Sequence, residues 1–296
     1  MTTPTETTPT AAAVPATAGR DDAEGGEELV IRARAGWAPV DWSELYRGRE
    51  LLFFLVWRDV KVRYKQTVLG VAWAVLQPLL SLAIFTVIFG RFAGLPSDGL
   101  PYAVFVFAGL VPWMFFSNGI TQAGQSLVNQ QQMITKVYFP RLFIPTASVG
   151  ALLIDFAITF VLYAGLLAWY RMVPSWQIVF LPALVLLTVM ATLGLGYILA
   201  GLTVFYRDFR YVVPFFVQVL MYLSPVIYPA SILPPRYRWV LALNPMGGLI
   251  GGYRSAILGA PWDLVSLAAS TAATLFLFAA GLAYFRTVER RFADIA

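Results

Sequence analysis

Apolar residues dominate this chain from Gln66 onward and are interrupted only by short polar links. A helix needs about 20 apolar residues to cross the ~30 Å hydrocarbon layer of a bilayer. By that length the pattern predicts six transmembrane helices, at residues 69–90, 102–125, 143–169, 178–204, 211–229 and 264–285. The predicted fold class is therefore an all-α polytopic membrane protein.

The stretch before the first span predicts an N-terminal amphipathic interfacial helix over residues 46–66. Helical-wheel positions divide it into an apolar arc, formed by Phe53, Val56, Trp57, Val60 and Tyr64, and a charged remainder, formed by Arg58, Asp59, Lys61, Arg63 and Lys65. Such a helix lies in the headgroup plane, with its basic face toward anionic lipid or a partner. A plain lipid anchor is the alternative interpretation.

Residues 225–263, between the fifth and sixth spans, are too apolar for a solvated loop. Asn244 followed by Pro245 is a helix N-cap and first-turn pattern, which predicts a helix running to about Leu258. At ~1.5 Å per residue this helix is roughly 20 Å long, too short to cross the bilayer. We expect a re-entrant helix on the outer side, and its candidate residues are Asn244, Pro245, Tyr253 and Arg254.

The two ends of the chain differ from the apolar part. Residues 1–45 are rich in Thr, Pro and Ala and include the acidic run DDAEGGEE, which predicts a disordered tail. No apolar segment follows the N-terminus, so no cleavable signal peptide is expected. Lys and Arg concentrate in alternate links, and this bias favours both termini in the cytoplasm, with 291–296 as a cytoplasmic C-terminus.

Composition supports a membrane protein and narrows its chemistry. Hydrophobic residues make up 59% and charged residues 12%, against about 25% charged in soluble domains. The chain has no Cys and no His, which excludes thiol nucleophiles, disulfides, zinc sites and His-based relays. The net charge of +5 does not indicate nucleic-acid binding, because the basic residues lie beside apolar spans and form no separate domain.

Few residues inside the spans carry chemistry. No G-x-x-x-x-G-K-[ST] phosphate loop is present, so the chain cannot hydrolyse ATP by that route. Asp155 is the one carboxylate well inside a predicted span, and such a charge marks a functional site by default. Two interpretations stay open: a structural role facing other helices or water, and ion coupling.

Two kinds of helix face are also predicted. Thr192, Gly196 and Ala200 place small residues at i, i+4 and i+8, a pattern typical of a helix-packing ridge. Aromatic residues beside amides suit sugar rings, with ordinary helix packing as the alternative. Such faces occur on the first and fifth spans, at Trp73, Gln77 and Leu80 and at Tyr211, Phe215, Gln218 and Tyr222.

Four segments follow one another along the chain: RDVKVRYKQTVLGVAWAVLQP at 58–78, KVYFPRLFIP at 136–145, YRDFRY at 206–211 and LNPMGGLIGGYRSAILG at 243–259. In this order, with the predicted spans, the chain resembles the permease subunit of ABC-2-type polysaccharide exporters over about residues 45–290. That family moves lipid-linked O-antigen, capsular polysaccharide or teichoic acid. The resemblance implies an ABC-2-type transmembrane domain at 67–290, in the plasma membrane (the inner membrane of a bacterium).

The resemblance also implies partners and sites. Two permeases would pair with two separate ATPase subunits, which would hold ATP and Mg²⁺, so no cofactor is expected on this chain. The glycan would cross between the two permeases. A cytoplasmic gate that meets a head group or the ATPase would be formed by Arg58, Lys61, Arg63 and Tyr64. The loop that couples to the ATPase would include Gln130, Lys136, Tyr138 and Arg141. The channel would be lined by Trp73, Gln77, Gln218 and Tyr222.

Other classes of protein remain as alternatives. An ion-coupled secondary transporter would need a coupling site, for which only Asp155 offers an intramembrane carboxylate, and inverted repeats that the sequence does not display. A membrane glycosyltransferase would need an acidic cluster near an interface, where only Asp59 and Asp208 lie, far apart in sequence. An ABC-2 permease for a small lipid or drug is the nearest rival.

Overall fold

The computed structural model describes residues 46–65, 70–136, 139–232 and 244–289, and regular structure in these ranges is helical. The predicted tail at 1–45 and C-terminus at 291–296 lie outside the described residues. The described α-helices are α1 (Arg49–Lys65), α2 (Gly70–Phe85), α3 (Tyr102–Asn129), α4 (Gln131–Lys136), α5 (Phe143–Trp169), α6 (Leu181–Phe205), α7 (Phe209–Leu223), α8 (Pro245–Leu258) and α9 (Leu264–Glu289). A π-helical segment, Thr86–Phe92, continues α2, and short 3₁₀ turns lie at Trp176–Phe180, leading into α6, and at Ala230–Ile232.

Within the described residues, five helical segments are long and apolar enough to cross a membrane: Ala72–Phe92, Tyr102–Asn129, Phe143–Trp169, Trp176–Phe205 and Leu264–Glu289. They correspond to five of the six predicted spans and make the chain an all-α polytopic membrane protein. The predicted fifth span, 211–229, differs. Its helix α7 has 15 residues, which is about 22 Å, because Ser224 adopts an extended backbone before Pro225 and a residue preceding proline disfavours the helical conformation.

Helix α3 occupies the centre of the bundle. It contacts α2, α5, α6, α7 and α8, and its Phe107, Phe116 and Ile120 are buried in the main core together with Leu249 and Ile250 of α8. Large side chains therefore fill the middle of a single copy of the chain.

Close backbone approach joins α6 to its neighbours. Thr192, Gly196 and Ala200 are all buried, and a Cβ on Gly196 would lie 2.8 Å from the Cβ of Ala123 on α3. The predicted packing ridge is therefore confirmed. On another side of α6, a Cβ on Gly194 would lie 2.7 Å from the backbone of α9.

The predicted helix after Asn244 is confirmed as α8. Asn244 caps it, because its Oδ1 accepts a hydrogen bond from the Met246 N–H at 3.0 Å. Gly259 ends the helix in the left-handed conformation, with φ of 72°, where glycine is favoured because it has no Cβ. Asn244 also donates from Nδ2 to Ser224 Oγ at 2.7 Å, so the start of α8 is joined to the end of α7.

Helix α1 packs against α5. It buries Leu55 and Val60, while Phe53 and Trp57, two members of the predicted apolar arc, are exposed. The predicted arc is thus divided, because Val60 is buried within the protein while Phe53 and Trp57 lie on the outer surface of the described chain.

Candidate functional site

A cavity of about 480 Å³ lies between α1, α2, α3 and α5. It is largely apolar, with polar groups on each contributing helix. Its lining includes Arg63 and Tyr64 from α1, Trp73 and Gln77 from α2, Phe115, Asn118 and Gln122 from α3, and Asp155, Phe156 and Thr159 from α5. Four of the residues predicted for the gate and the channel therefore share this cavity.

A polar network on the cavity wall joins three helices. Arg63 pairs through Nη1 with the Asp155 carboxylate, and its Nη2 donates to the side-chain oxygen of Gln122. The Tyr64 hydroxyl donates to the other carboxylate oxygen of Asp155. The Arg63 and Asp155 side chains are 29% and 27% exposed, so the ion pair is partly shielded from solvent and ties the end of α1 to α3 and α5.

Tyr64 keeps its proton in this environment. Burial, followed by the hydrogen bond to Asp155 and its negative charge, raises the pKa of Tyr64 above its ordinary value of 10.0. The hydroxyl therefore stays a donor at neutral pH. Asp155 faces other helices through these contacts, as the structural interpretation of that residue expects.

Arg58 connects α1 to the segment predicted to couple to an ATPase. Its Nη2 donates to Gln130 Oε1 at 2.8 Å and to Asp59 Oδ1 at 2.7 Å, and its Nη1 lies 3.0 Å from the Met133 sulfur. A predicted gate residue thus touches a predicted coupling residue directly. Lys61 is exposed, with its ammonium 5.6 Å from the Trp57 ring centre.

The remaining predicted coupling residues are distributed differently. Arg141 contacts the last turn of α9, since its Nη1 donates to the Glu289 carbonyl at 2.9 Å and its backbone N–H donates to Glu289 Oε1 at 3.1 Å. Tyr138 and the side chain of Lys136 lie outside the described residues.

The predicted channel residues separate into two places. Trp73 and Gln77 line the cavity. Gln218 and Tyr222 lie on α7 and are exposed, as is the rest of that predicted aromatic face. Of the residues in α7 only Val213 is buried. The structure of one copy therefore does not bring the two pairs together.

A second polar centre lies beside α8. Arg254 is 6% exposed, and it donates from Nη2 to the Val226 carbonyl at 2.8 Å and from Nε to the Phe105 carbonyl at 3.3 Å. Its guanidinium carbon lies 3.7 Å from the centre of the Phe105 ring. Tyr253, next to it, is also buried, and its hydroxyl lies 3.1 Å from that of Thr188.

Sequence reasoning missed three polar residues of the cavity lining. Asn118 and Gln122 occupy positions i and i+4 of the apolar helix α3, and Thr159 follows Asp155 by four residues on α5. Polar groups at that spacing share one helix face, and this pattern could have identified both walls. The partner of Asp155 could not be found in the same way, because Arg63 lies 92 residues away.

Comparisons with known proteins extend over most of this architecture. Residues 50–258 match the family of ABC-2 type transporters, a range that runs from α1 to the last residue of α8. The chain is 32% identical over 254 residues to the O-antigen export system permease protein RfbA of Myxococcus xanthus, which covers 85% of this chain and 97% of that protein. The protein of the same name from Klebsiella pneumoniae is 29% identical over 247 residues, an alignment that covers 83% of this chain and 95% of that protein. The polysialic acid transport protein KpsM of Escherichia coli is 27% identical over 246 residues, covering 78% and 91%.

Proposed function

This chain belongs to the ABC-2 type transporter family, and from its relatives we infer that it is a permease subunit for polysaccharide export. Its relatives are named for O-antigen export and polysialic acid transport, and it covers more than nine tenths of each. The finer proposal is that it moves a lipid-linked polysaccharide across the plasma membrane in an ATP-driven exporter.

We propose that two copies form the channel, because the centre of the helix bundle in one copy is filled by side chains. The α3 side chains occupy the middle of one copy, which leaves no continuous path through it for a polysaccharide. By contrast α2 and α7 expose apolar and aromatic residues, among them Trp73, Phe215 and Tyr222. Two copies related by an axis along the membrane normal would cover these helices and leave the glycan path between them.

Energy would come from a separate ATPase subunit that holds ATP and Mg²⁺. The chain has no phosphate-binding loop of its own. The contact between Arg58 and Gln130 supports this proposal, because a subunit that pushes on the segment after α3 would also move α1. This arrangement requires α1, the α3–α5 connection and both termini to lie in the cytoplasm.

The ion-coupled alternative has less support. Its one intramembrane carboxylate, Asp155, is engaged by Arg63 and Tyr64. A coupling ion would have to displace both donors before it could bind. The polysaccharide proposal needs no such exchange.

Deleting the gene that encodes this chain, in its own host, tests the proposal. We expect glycan to disappear from the cell surface and its lipid-linked form to accumulate on the cytoplasmic face, with recovery when the chain is supplied again. Glycan synthesis itself, measured in cell extracts, should be unchanged and serves as the control. Normal surface glycan in the deletion strain would contradict the proposal.

A further inference from the structure

We propose that the cavity between α1, α2, α3 and α5 binds an uncharged sugar ring of the exported glycan. The inference rests on the proposed function and deepens it, because it places a sugar-binding site inside each copy of the chain. Such a site is distinct from a path between two copies.

The size and lining of the cavity suit one or two sugar rings. Its volume of about 480 Å³ lies within the ~300–1,000 Å³ of ordinary small-molecule sites, which combine apolar walls with a few placed polar groups. A long lipid tail cannot form hydrogen bonds with the polar groups, and a bulky polymer is too large to enter the cavity. A short stretch of the glycan fits both properties.

Free amides supply the hydrogen bonds that a sugar needs. Gln77 on α2 and Asn118 on α3 both line the cavity, and neither amide has a hydrogen-bond partner in the described part of the chain. An amide offers a donor and an acceptor together, which matches a hydroxyl group that also does both. Helices α2 and α3 thus present open polar groups toward the same space.

An aromatic ring supplies the second element of sugar recognition. The Trp73 indole lines the same cavity and is 55% exposed, so part of its face is accessible. Aromatic rings carry negative charge on their faces and attract the polarised C–H groups of a pyranose ring. A tryptophan beside two open amides therefore favours a carbohydrate over a purely apolar ligand.

The charge balance of the cavity disfavours a diphosphate head group. Arg63 and Asp155 are the charged residues in its described lining, and they pair with each other. Anion sites instead gather several cationic donors around phosphate oxygens, and here the Asp155 carboxylate would repel the ligand. The paired charges therefore disfavour the head-group role that the resemblance implied for Arg63 and Tyr64.

Thiol protection tests the site in the assembled exporter. The chain has no native Cys, so Ala74→Cys introduces a single thiol into the cavity lining. Val75→Cys is the matched control, because Val75 is adjacent and half-buried but does not line the cavity. Membrane vesicles with the complete complex would be labelled with a water-soluble maleimide while three compounds are titrated to their solubility limits: oligosaccharide released from the host's own glycan, inorganic pyrophosphate, and polyprenyl diphosphate.

We expect the oligosaccharide alone to protect Ala74→Cys, slowing its labelling about tenfold at ten times the Kd, with Val75→Cys unaffected. Unchanged labelling of Ala74→Cys at every oligosaccharide concentration would overturn the site. Equal protection by pyrophosphate or by polyprenyl diphosphate would assign the cavity to the head group and overturn the sugar proposal. Recovery of the Ala74→Cys variant in the assembled complex at the wild-type yield verifies that it folds.

Failure of the site and failure of the function are distinguishable. Surface glycan that depends on the chain, combined with an unprotected Ala74→Cys, overturns the site alone. Surface glycan that is unchanged by deletion of the chain overturns the proposed function, whatever the labelling result.

Discussion

Two arginines near opposite ends of α3 are held in different ways. Arg63 contacts α3 at Gln122 and pairs with a carboxylate at the edge of a cavity. Arg254 contacts α3 at Phe105, about 25 Å away along the helix, and its donors go to backbone carbonyls and an aromatic ring. The first arrangement leaves open polar groups beside it for a ligand. The second is closed by the protein itself.

The Arg254 centre exists because α7 stops early. After Leu223 the backbone leaves the helix, so the Val226 carbonyl has no helical donor, and burying such a group without a partner is costly. Arg254 reaches it from α8 at 2.8 Å. Helix α8 therefore stabilises the broken end of α7, a structural task, whereas the Arg63 centre joins α1 to α3 and α5 beside a cavity of about 480 Å³.

Arg254→Met should have the largest effect on stability. It removes the donors of two buried carbonyls and the contact with the Phe105 ring, at a cost of roughly 3 kcal/mol. Chemical unfolding in detergent micelles would measure the loss. Arg254→Lys keeps the charge without the two-point geometry of the guanidinium. Its stability should fall between that of Arg254→Met and that of the wild type. Wild-type stability of Arg254→Met would contradict the structural role.

Asp155→Ala should destabilise the chain by about 2 kcal/mol, less than Arg254→Met, because Arg63 loses its carboxylate partner but is partly solvated and keeps its hydrogen bond to Gln122. Adding Arg63→Met should recover part of the loss, since the double variant has no uncompensated charge. The double-mutant cycle on unfolding free energies measures the coupling. Strictly additive losses would mean that the two side chains do not interact.

Tyr64→Phe should cost about 1 kcal/mol, because it removes one hydrogen bond to Asp155 and leaves the ion pair in place. Proteolysis of α1 in the native protein would detect the looser attachment. Tyr46→Phe is a matched control, since Tyr46 precedes α1 and is 67% exposed. Equal proteolysis rates for the two variants would show that the Tyr64 hydroxyl does not hold α1.

Ionic strength should produce the smallest difference between the two centres. Salt screens partly exposed pairs more than buried groups, so the coupling between Arg63 and Asp155 should fall by a few tenths of a kcal/mol at ~0.5 M salt. The destabilisation caused by Arg254→Met should stay the same. A salt dependence of equal size at both centres would remove the distinction between them.

Local patterns in the sequence predicted local structure well. The cap at Asn244, the end of α8 at Leu258 and the ridge on α6 each depend on neighbours within one helix, and the structure confirms them. The early end of α7 was missed, because apolar residues continue past Leu223 and only the proline at 225 marks the break.

Contacts between distant elements could not be predicted in the same way. Helix α3 and the segment formed by α2 with its π-helical continuation both have the apolar composition of a span. In the most apolar stretch of α3, however, 83% of the residues are buried, against 6% in that of the α2 segment. Hydropathy does not distinguish a helix that is surrounded by protein from one that is surrounded by lipid, because both surroundings are apolar. The inward turn of Arg63 likewise depends on a carboxylate of another helix, and the hydropathy of α1 contains no information about it.

The rate of glycan export per folded molecule in Asn118→Ala and Ser117→Ala tests the proposed sugar site most directly. Asn118 lines the cavity and has no partner in the described part of the chain, so its loss should leave stability nearly unchanged. Ser117 is adjacent, donates to the Met114 carbonyl at 3.2 Å and is not among the residues that line the cavity. We expect export about five- to tenfold slower for Asn118→Ala, since a tenfold change corresponds to about 1.4 kcal/mol, and near wild-type export for Ser117→Ala. Equal export by the two variants at equal folded protein would contradict the claim that this end of α3 handles the cargo.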